Sequence, residues 1–317
     1  MRNVLKTNNP VTLSFAQSLL AEAGIEAVVF DTHTSVIEGS LGILPRRLMV
    51  ADDDGPRAER VLREGFARAE SPSVRETSED RFLGGRIIVR QPVDGFRAGL
   101  DAVMLAASVP ARQGEDVLEL GSGVGTASLC LAARVEANIV GVEIDPELTH
   151  LANGNAIANS LDNRVVFVTA DVLDLPRDMK RDYAHVFCNP PFHGPDGESS
   201  PYADRALALE DGGRLADWLA VGVKRTAPGG TFTTIIRADR MGEALAALPE
   251  KGVRKFPLWP RAGEAAKRIL LQVTKGSGAA PELLPGLVLH QEGGSYTPDA
   301  DAILRGNAWL APHFRGL

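Results

Sequence analysis

Residues 117–133 read VLELGSGVGTASLCLAA, and the fold class follows from their pattern. An apolar run containing Glu119 leads into Gly121, Gly123 and Gly125, and a helical pattern begins directly after the last glycine. Glycine lets the backbone turn tightly and approach a ligand, and the N-terminal end of a helix carries partial positive charge. The stretch therefore predicts a strand–loop–helix unit that binds a nucleotide-like molecule.

Strand-like and helical segments alternate on both sides of this loop. The strand-like runs lie at 117–120, 139–142, 165–168, 184–188 and 231–236, and the helical segments lie near 126–135, 147–160, 213–226 and 240–248. Short apolar strands without alternation are typical of a parallel sheet covered on both faces. Two later runs, 254–259 and 268–274, have no helix between them and predict an antiparallel edge hairpin. The predicted class is an α/β fold with a Rossmann-like doubly wound sheet.

Acidic residues follow the second and third strands of this predicted sheet. Glu143 ends the second strand, where a carboxylate can accept hydrogen bonds from both hydroxyls of a ribose, as in NAD or S-adenosylmethionine. Asp171 follows the third strand and can accept an exocyclic N–H of adenine beside Val172. Ile144 is assigned to the same cofactor site, and so is Asn189 at the end of the fourth strand. A dinucleotide fingerprint requires glycine at residue 126, where this chain has threonine.

The fourth strand ends at Asn189-Pro190-Pro191-Phe192, in the sequence DYAHVFCNPPFHGP at 182–195. Two prolines end a strand because neither has an N–H to donate. Alone, the tetrapeptide fits either a stiff exit turn or a site. At the carboxyl edge of the sheet, Asn189 and Pro190 can accept the two N–H groups of an exocyclic amine, and Phe192 can stack on its ring. Such positioning supplies much of a catalytic effect.

The combination resembles the class I S-adenosylmethionine-dependent methyltransferases. The matching residues are Glu119, Gly121, Gly123, Gly125, Glu143, Asp171 and the tetrapeptide at 189–192. The resemblance covers about residues 83–275. It implies S-adenosyl-L-methionine as the cofactor and a seven-stranded sheet with one antiparallel strand at its edge. Asparagine at the start of the tetrapeptide is typical, in these families, of enzymes that act on adenine N6 or guanine N2 in RNA or on a glutamine amide.

A second stretch, IIVRQPVDGFRAGLDAVMLAASVP at 87–110, precedes the glycine loop. It resembles the bacterial tRNA adenine-N6 methyltransferases that modify the adenosine beside the anticodon of a valine tRNA, and this likeness spans about residues 81–310. That family has tyrosine where this chain has Phe96. The resemblance implies that Arg97 and Asp101 lie near the methionine end of the cofactor. From the residues alone, they fit equally a buried pair that fixes the helix.

The predicted function is methyl transfer to an exocyclic amine of a nucleobase, and the favoured acceptor is adenine N6 in tRNA. The alternatives are an rRNA guanine-N2 methyltransferase, a protein glutamine N5-methyltransferase and a non-enzymatic cofactor sensor. Residues 224–275 hold eleven Lys and Arg against four Asp and Glu, with Phe256 and Trp259 among them. Basic residues beside aromatic ones suit a surface that follows phosphates, so this stretch is the predicted RNA contact.

The first 70 residues form a separate pattern of strand, helix, two strands and helix. This predicts a small α+β domain without an obvious catalytic group, and it resembles a small bacterial signal-transducing domain of unknown function. Residues 71–82 are polar and lack periodicity, which predicts a linker to a methyltransferase domain at 83–317.

Composition limits the class of protein. The net charge of −7 disfavours a chain that coats nucleic acid or membrane with its whole surface. Cys130 and Cys188 lie in apolar runs, and the six histidines lack ligand spacing, so neither a disulfide nor a metal site is expected. The sequence also lacks an apolar stretch typical of a signal peptide or membrane span, and a cytoplasmic protein is expected. The oligomeric state stays open.

Overall fold

The computed structural model describes residues 1–7, 10–30, 46–70, 75–191 and 214–314. The chain divides into two compact units, Met1–Val74 and Arg75–Leu317, called here the N-terminal and C-terminal units. Across the described ranges, no helix is both long and apolar enough to cross a membrane.

The N-terminal unit has the predicted order of strand, helix, two strands and helix. Its elements are β1 (Arg2–Thr7), α1 (Pro10–Glu22), β2 (Ala27–Phe30), β3 (Arg46–Val50) and α2 (Gly55–Glu70). The three strands are antiparallel in the order β1-β3-β2, with β3 in the centre. Apolar side chains from both helices and from one face of the sheet form the core: Leu13, Ala16, Leu20, Ile25, Leu48, Val50, Ala58 and Leu62.

The C-terminal unit is built on one large sheet. Its seven main strands, in spatial order, are β8 (Val165–Thr169), β7 (Asn138–Glu143), β6 (Asp116–Leu120), β9 (Tyr183–Cys188), β10 (Thr226–Arg237), β12 (Arg268–Thr274) and β11 (Val253–Trp259). Neighbouring strands from β8 to β10 are parallel, and β12 is antiparallel to both β10 and β11. The doubly wound α/β sheet with its antiparallel hairpin is therefore confirmed.

Two short strands extend this sheet beyond the hairpin. They are β13 (Glu282–Leu283) and β14 (Leu287–Val288), and both pair with β11 in the parallel direction. The antiparallel strand β12 itself lies between β10 and β11, so it is inside the sheet and not at its edge. Strands of two residues are too short to show a periodic pattern in sequence, which is why they were not predicted.

Helices cover both faces of the sheet. They are α3 (Leu100–Ser108), α4 (Thr126–Ala132), α5 (Pro146–Ala158), α6 (Arg214–Arg225), α7 (Met241–Ala247) and α8 (Pro298–Leu304). One buried cluster joins the sheet to α3, α4, α5 and α8, and another joins it to α6 and α7. Burial on both faces explains why the central strands are apolar without alternation.

A hairpin outside the main sheet corrects the predicted linker. Strand β4 (Thr77–Phe82) pairs antiparallel with β5 (Ile87–Pro92) over its whole length. The prediction of an irregular linker at 71–82 is therefore wrong for 77–82, and 71–74 lie outside the described residues. Strand β4 was not predicted because most of its residues are polar. Its conformation is set by backbone pairing with β5 and not by an apolar face.

Two asparagines attach this hairpin to α5. The side chain of Asn155 accepts from the Arg90 N–H at 2.8 Å and donates to the Arg90 carbonyl at 2.9 Å. Asn159 does the same at Ile88, at 2.9 and 2.6 Å. Each carboxamide thereby pairs with β5 as a neighbouring strand would, and this ladder fixes the segment that leads into α3.

Candidate active site

The site lies at the carboxyl ends of the parallel strands. In register, Leu120 of β6 pairs with Val142 of β7 on one side and with Cys188 of β9 on the other, and Glu143 pairs with Thr169 of β8. The residues that follow these strands therefore share one edge of the sheet. In an open α/β sheet this edge is where ligands bind.

The glycine loop is held against its neighbours by close packing. Gly121 and Gly125 have φ values of +70° and +85°. A Cβ atom at Gly121 would lie 2.5 Å from the ring of Trp218 in α6, and one at Gly125 would lie 2.4 Å from the ring of Phe167 in β8. Glycine is thus required at both positions for conformation and for space.

The middle glycine faces open space instead. Within the described ranges, a Cβ atom at Gly123 would meet nothing within 4 Å, and the Gly123 N–H donates to Glu143 Oε2 at 2.8 Å. The second oxygen of Glu143 accepts the Asp145 N–H at 3.0 Å, so the carboxylate ties the loop to the end of β7. Burial raises the pKa of Glu143. Next to it, the apolar side chain of Ile144 is 55% exposed.

Glu119 lies beneath the loop and is 3% exposed. Its carboxyl accepts the Ser128 N–H at 3.2 Å and the Ser128 hydroxyl at 2.5 Å, which links β6 to the first turns of α4. Burial raises the pKa of Glu119 to about 8, although both Ser128 hydrogen bonds act in the opposite direction. The side chain is therefore largely protonated near neutral pH.

Three buried oxygen atoms at this edge lack hydrogen-bond partners within the described structure. They are Ser122 Oγ, Thr126 Oγ1 and Asn189 Oδ1. An unsatisfied buried polar atom costs about 1–3 kcal/mol, so such atoms mark places where a ligand or water supplies the missing bond. Two of the three belong to the glycine loop and its helix, and the third begins the tetrapeptide after β9. The arrangement fits a polar ligand that lies across these strand ends.

The tetrapeptide continues directly from β9. Asn189 is half-buried and Pro190 is buried, whereas Phe192 lies outside the described residues. The preceding Cys188 donates its thiol to Thr234 Oγ1 at 3.4 Å. Burial raises the pKa of Cys188 to about 12, so the sulfur is not a nucleophile at neutral pH. Cys188 is therefore a buried structural residue at this strand end.

Asp171 and Val172 follow β8 at the same edge. Asp171 is exposed, and its Oδ1 accepts the Leu173 N–H at 2.8 Å, which shapes the turn. The other oxygen is available to a ligand. The side chain of Val172 is packed in the core at 5% exposure, so only its backbone can contact a ligand.

Arg97 and Asp101 are not paired with each other. Arg97 donates to the Pro92 carbonyl at 2.7 Å and also bonds to Asp80 of β4. Asp101 accepts from Arg268 Nε at 2.8 Å, which joins α3 to β12. The interpretation as one buried pair is therefore wrong, because each side chain has its own partner on a different strand. A place for both near the methionine end of the cofactor stays a prediction.

The basic stretch 224–275 does not form one surface. Antiparallel pairing places Arg237 opposite Arg268 at the site edge, whereas Lys275 donates to the Thr226 carbonyl at the opposite end of the sheet. Five of its arginines form ion pairs with acids: Arg237, Arg240, Arg254, Arg261 and Arg268. Phe256 is 1% exposed and belongs to the core. The positive charge that any one surface of this stretch presents is therefore smaller than the excess of Lys and Arg in its sequence indicates.

Comparisons with known proteins agree with this geometry. Residues 98–216 match a family described as "Methyltransferase small domain", and residues 1–65 match one described as "Putative prokaryotic signal transducing protein". Proteins named tRNA1(Val) (adenine(37)-N6)-methyltransferase are similar to the chain. The one from Shewanella loihica is 30% identical, covering 49% of this chain and 66% of that protein. The one from Shewanella woodyi is 27% identical, covering 67% and 92%.

A third relative of the same name, from Yersinia enterocolitica, is 29% identical and covers 66% of this chain and 84% of its own length. Among solved structures, one from Agrobacterium tumefaciens, titled a predicted O-methyltransferase, has a TM-score of 0.56 and 26% identity. That match covers 66% of this chain and 97% of the other.

Proposed function

We propose that this chain, an S-adenosylmethionine-dependent methyltransferase with the class I fold, methylates the N6 amine of an adenine in tRNA. The single observation that carries the choice of an amine is the buried Asn189 Oδ1 beside the glycine loop, for which the described residues provide no hydrogen-bond partner. The choice of tRNA is supported by the relatives named tRNA1(Val) (adenine(37)-N6)-methyltransferase, two of which are covered over 92% and 84% of their length. Adenine 37 of a valine tRNA is accordingly the proposed target.

Asn189 and Pro190 have the groups that this reaction requires. The N6 lone pair of adenine is delocalised into the ring, so the amine is a weak nucleophile. Its two N–H groups can donate to Asn189 Oδ1 and to the Pro190 carbonyl, which favours a pyramidal nitrogen and frees the lone pair. When bound, S-adenosylmethionine supplies an electrophilic methyl group on a sulfonium. The methylated amine then loses a proton, and no base is needed before that step.

The residues of the glycine loop and the two acids fit the cofactor. The Glu143 carboxylate has lone pairs left after its two backbone hydrogen bonds and can accept the ribose hydroxyls. The exposed Ile144 offers an apolar contact for the adenine ring, and Asp171 has one oxygen left for its amine. Open space in front of Gly123 leaves room for the ligand. These roles are part of the proposal.

The test is transfer of labelled methyl groups to separate tRNA, rRNA and protein fractions from a cell that lacks this chain. Nucleoside and amino-acid analysis then identifies the product. We expect N6-methyladenosine in the tRNA fraction. An Asn189→Ala variant should lose roughly 100-fold in kcat, the usual effect of removing one polar contact to the reacting group. Its cofactor affinity, measured by calorimetry, should change little because the glycine loop and Glu143 are untouched.

Other results would contradict the proposal. N2-methylguanosine in rRNA or methylated glutamine in protein would identify a different acceptor. Cofactor binding without labelled product in any fraction would indicate a sensor and not an enzyme. A matched Asn153→Ala variant serves as the control, because in the described part of the chain this amide bonds to the backbone of α5 and β8 and to no residue that follows β9. It should lower stability without a selective loss of kcat.

A further inference from the structure

An ion pair connects the start of the C-terminal unit to the turn after β7. Arg75 is the first residue of that unit, two positions before β4. Its Nη2 donates to Asp145 Oδ2 at 2.6 Å, and its Nε lies 2.7 Å from Glu147 Oε2. The side chain of Arg75 is 19% exposed and that of Asp145 is 27% exposed, so both are largely shielded from water. The guanidinium therefore bridges two acids that follow directly after Glu143.

Asp145 links this guanidinium to the candidate cofactor site by hydrogen bonds. Its Oδ1 caps helix α5 by accepting the Glu147 N–H at 2.8 Å, and its own N–H donates to Glu143 Oε1 at 3.0 Å. Arg75 binds the remaining oxygen, Oδ2. The second oxygen of Glu143 accepts the Gly123 N–H, so an unbroken series of contacts runs from Arg75 to the glycine loop.

Helix α5 does not require this cation for its own stability. The N-terminal end of a helix carries partial positive charge, so acids in the first turn stabilise a helix and a cation there does not. Glu147 supplies an acid in that turn, and Asp145 caps the helix. Ion pairs that keep some contact with water add little to stability. The folding of α5 therefore does not account for an arginine held between these acids.

The charge of Arg75 does bear on Glu143. Burial raises the pKa of Glu143, and the negative charge of Asp145 acts in the same direction. A cation held against Asp145 offsets that charge and favours the ionised form of Glu143, which has the lone pairs that ribose hydroxyls require. Between the two acids, Ile144 is 55% exposed, so its position depends on how firmly its neighbours hold the turn.

We propose that Arg75 is a positioning residue for the cofactor: through Asp145 it holds the turn 143–145 in the form that binds the ribose and adenine of S-adenosylmethionine. Arg75 acts on Glu143 and Ile144, which contact the ligand, and not on the ligand itself. The inference rests on the proposed function, since it takes from that proposal the place of the ribose at Glu143. It adds a residue that lies 68 positions earlier in the chain than the acid it supports.

The experiment compares the full-length chain with Arg75→Met and Arg75→Lys variants. Calorimetry measures the binding of S-adenosylhomocysteine and of methylthioadenosine, which both contain the ribose and adenine, although only the first has the amino-acid part. We expect Arg75→Met to weaken both by about tenfold, the lower end of the effect of residues that orient a metal ligand. Arg75→Lys keeps the charge and should recover part of the affinity. In methyl transfer, Arg75→Met should raise KM for S-adenosylmethionine and leave kcat and KM for tRNA unchanged.

A second substitution tests whether Arg75 acts through Asp145. Asp145→Asn removes the charge but keeps an oxygen that caps α5, because asparagine is about as good an N-cap as aspartate. Arg75→Met should weaken binding of S-adenosylhomocysteine in the wild-type background and have little further effect in the Asp145→Asn background. Equal losses in the two backgrounds would overturn the proposal. A loss for S-adenosylhomocysteine without one for methylthioadenosine would do the same, because it would place the effect at the amino-acid part.

Arg181→Met is the matched control. Arg181 donates to Asp116 Oδ2 at 2.7 Å, and Asp116 begins β6, so this ion pair lies at the edge of the sheet opposite to the candidate site. The variant should bind both probes as the wild type does. Circular dichroism and thermal unfolding establish that each variant is folded. Equal losses of affinity for Arg75→Met and Arg181→Met would indicate a general effect of lost charge and would contradict the proposal.

A Glu143→Ala variant separates this inference from the proposed function. If Glu143→Ala binds S-adenosylhomocysteine as tightly as the wild type does, the proposed place of the ribose is wrong, and the role of Arg75 is wrong with it. If Glu143→Ala loses affinity and Arg75→Met does not, Arg75 has no positioning role, and the proposed function stands. Neither binding result depends on the identity of the methylated acceptor.

Discussion

Substitution of Gly125 by alanine tests the packing of the glycine loop. Gly125 has a φ of +85°, and its new Cβ atom would lie 2.4 Å from Phe167 Cζ. The left-handed conformation costs an alanine about 1–2 kcal/mol, and overpacking a core costs about 1–3 kcal/mol. Phe167 is 2% exposed and has little room to move. We therefore expect the free energy of unfolding to fall by about 2–5 kcal/mol, and Tm by roughly 4–20 °C.

A matched variant separates the two contributions. Gly114 has a φ of +77°, and a Cβ atom there would meet nothing within 4 Å, so Gly114→Ala carries only the conformational cost. Urea denaturation measures the free energy of unfolding of both variants, and the difference between the two losses is the packing cost. Adding Phe167→Leu to Gly125→Ala should recover part of that cost. If Gly125→Ala destabilises the chain no more than Gly114→Ala does, the argument from close packing against Phe167 is wrong.

Three further predictions concern other parts of the C-terminal unit. Asn155→Ala leaves the polar backbone groups of Arg90 unpaired and should lower the free energy of unfolding by about 2–4 kcal/mol in urea denaturation. Because burial raises the pKa of Glu119 from 4.5 to about 8, the folded chain binds the extra proton, so stability should fall as pH rises from 4.5 to 8. Glu119→Gln should flatten that part of a Tm-against-pH curve. Burial lowers the pKa of His185 from 6.5, so the folded chain favours the neutral imidazole. The free energy of unfolding should therefore fall as pH drops below 6.5, and His185→Asn should reduce that fall.

The main sheet could be predicted because its central strands are apolar on both faces and two of them, β6 and β9, are followed at once by glycine or by asparagine and proline. Strand β12 was predicted at its exact bounds, Arg268–Thr274. Strand β4 could not be predicted, because its residues are polar and its order depends on pairing with β5. The hydrogen bonds between Asn155 and the backbone of Arg90 were also missed. An asparagine in a helical pattern gives no indication of a backbone partner 65 residues away.

At the candidate site, the sequence indicated which residues follow the strands but not which polar atoms are satisfied. Ser122 and Thr126 stood in the sequence only as residues beside the glycines, whereas in the structure both hydroxyls are buried and have no hydrogen-bond partner among the residues described. Arg97 and Asp101 looked like one pair because they are close in sequence. Their partners lie on two different strands, Asp80 17 residues before Arg97 and Arg268 167 residues after Asp101, and local sequence has no means to reveal such contacts.

Two buried acids beside the glycine loop connect stability to ligand binding. Burial raises the pKa of both Glu119 and Glu143, so the ionised form of each is disfavoured in the fold as described. A sulfonium and an ammonium group, both present in S-adenosylmethionine, are the kind of charge that favours ionised carboxylates nearby. A cation held close to either carboxyl group would lower its pKa, so binding of such a ligand is expected to shift the pH dependence of stability.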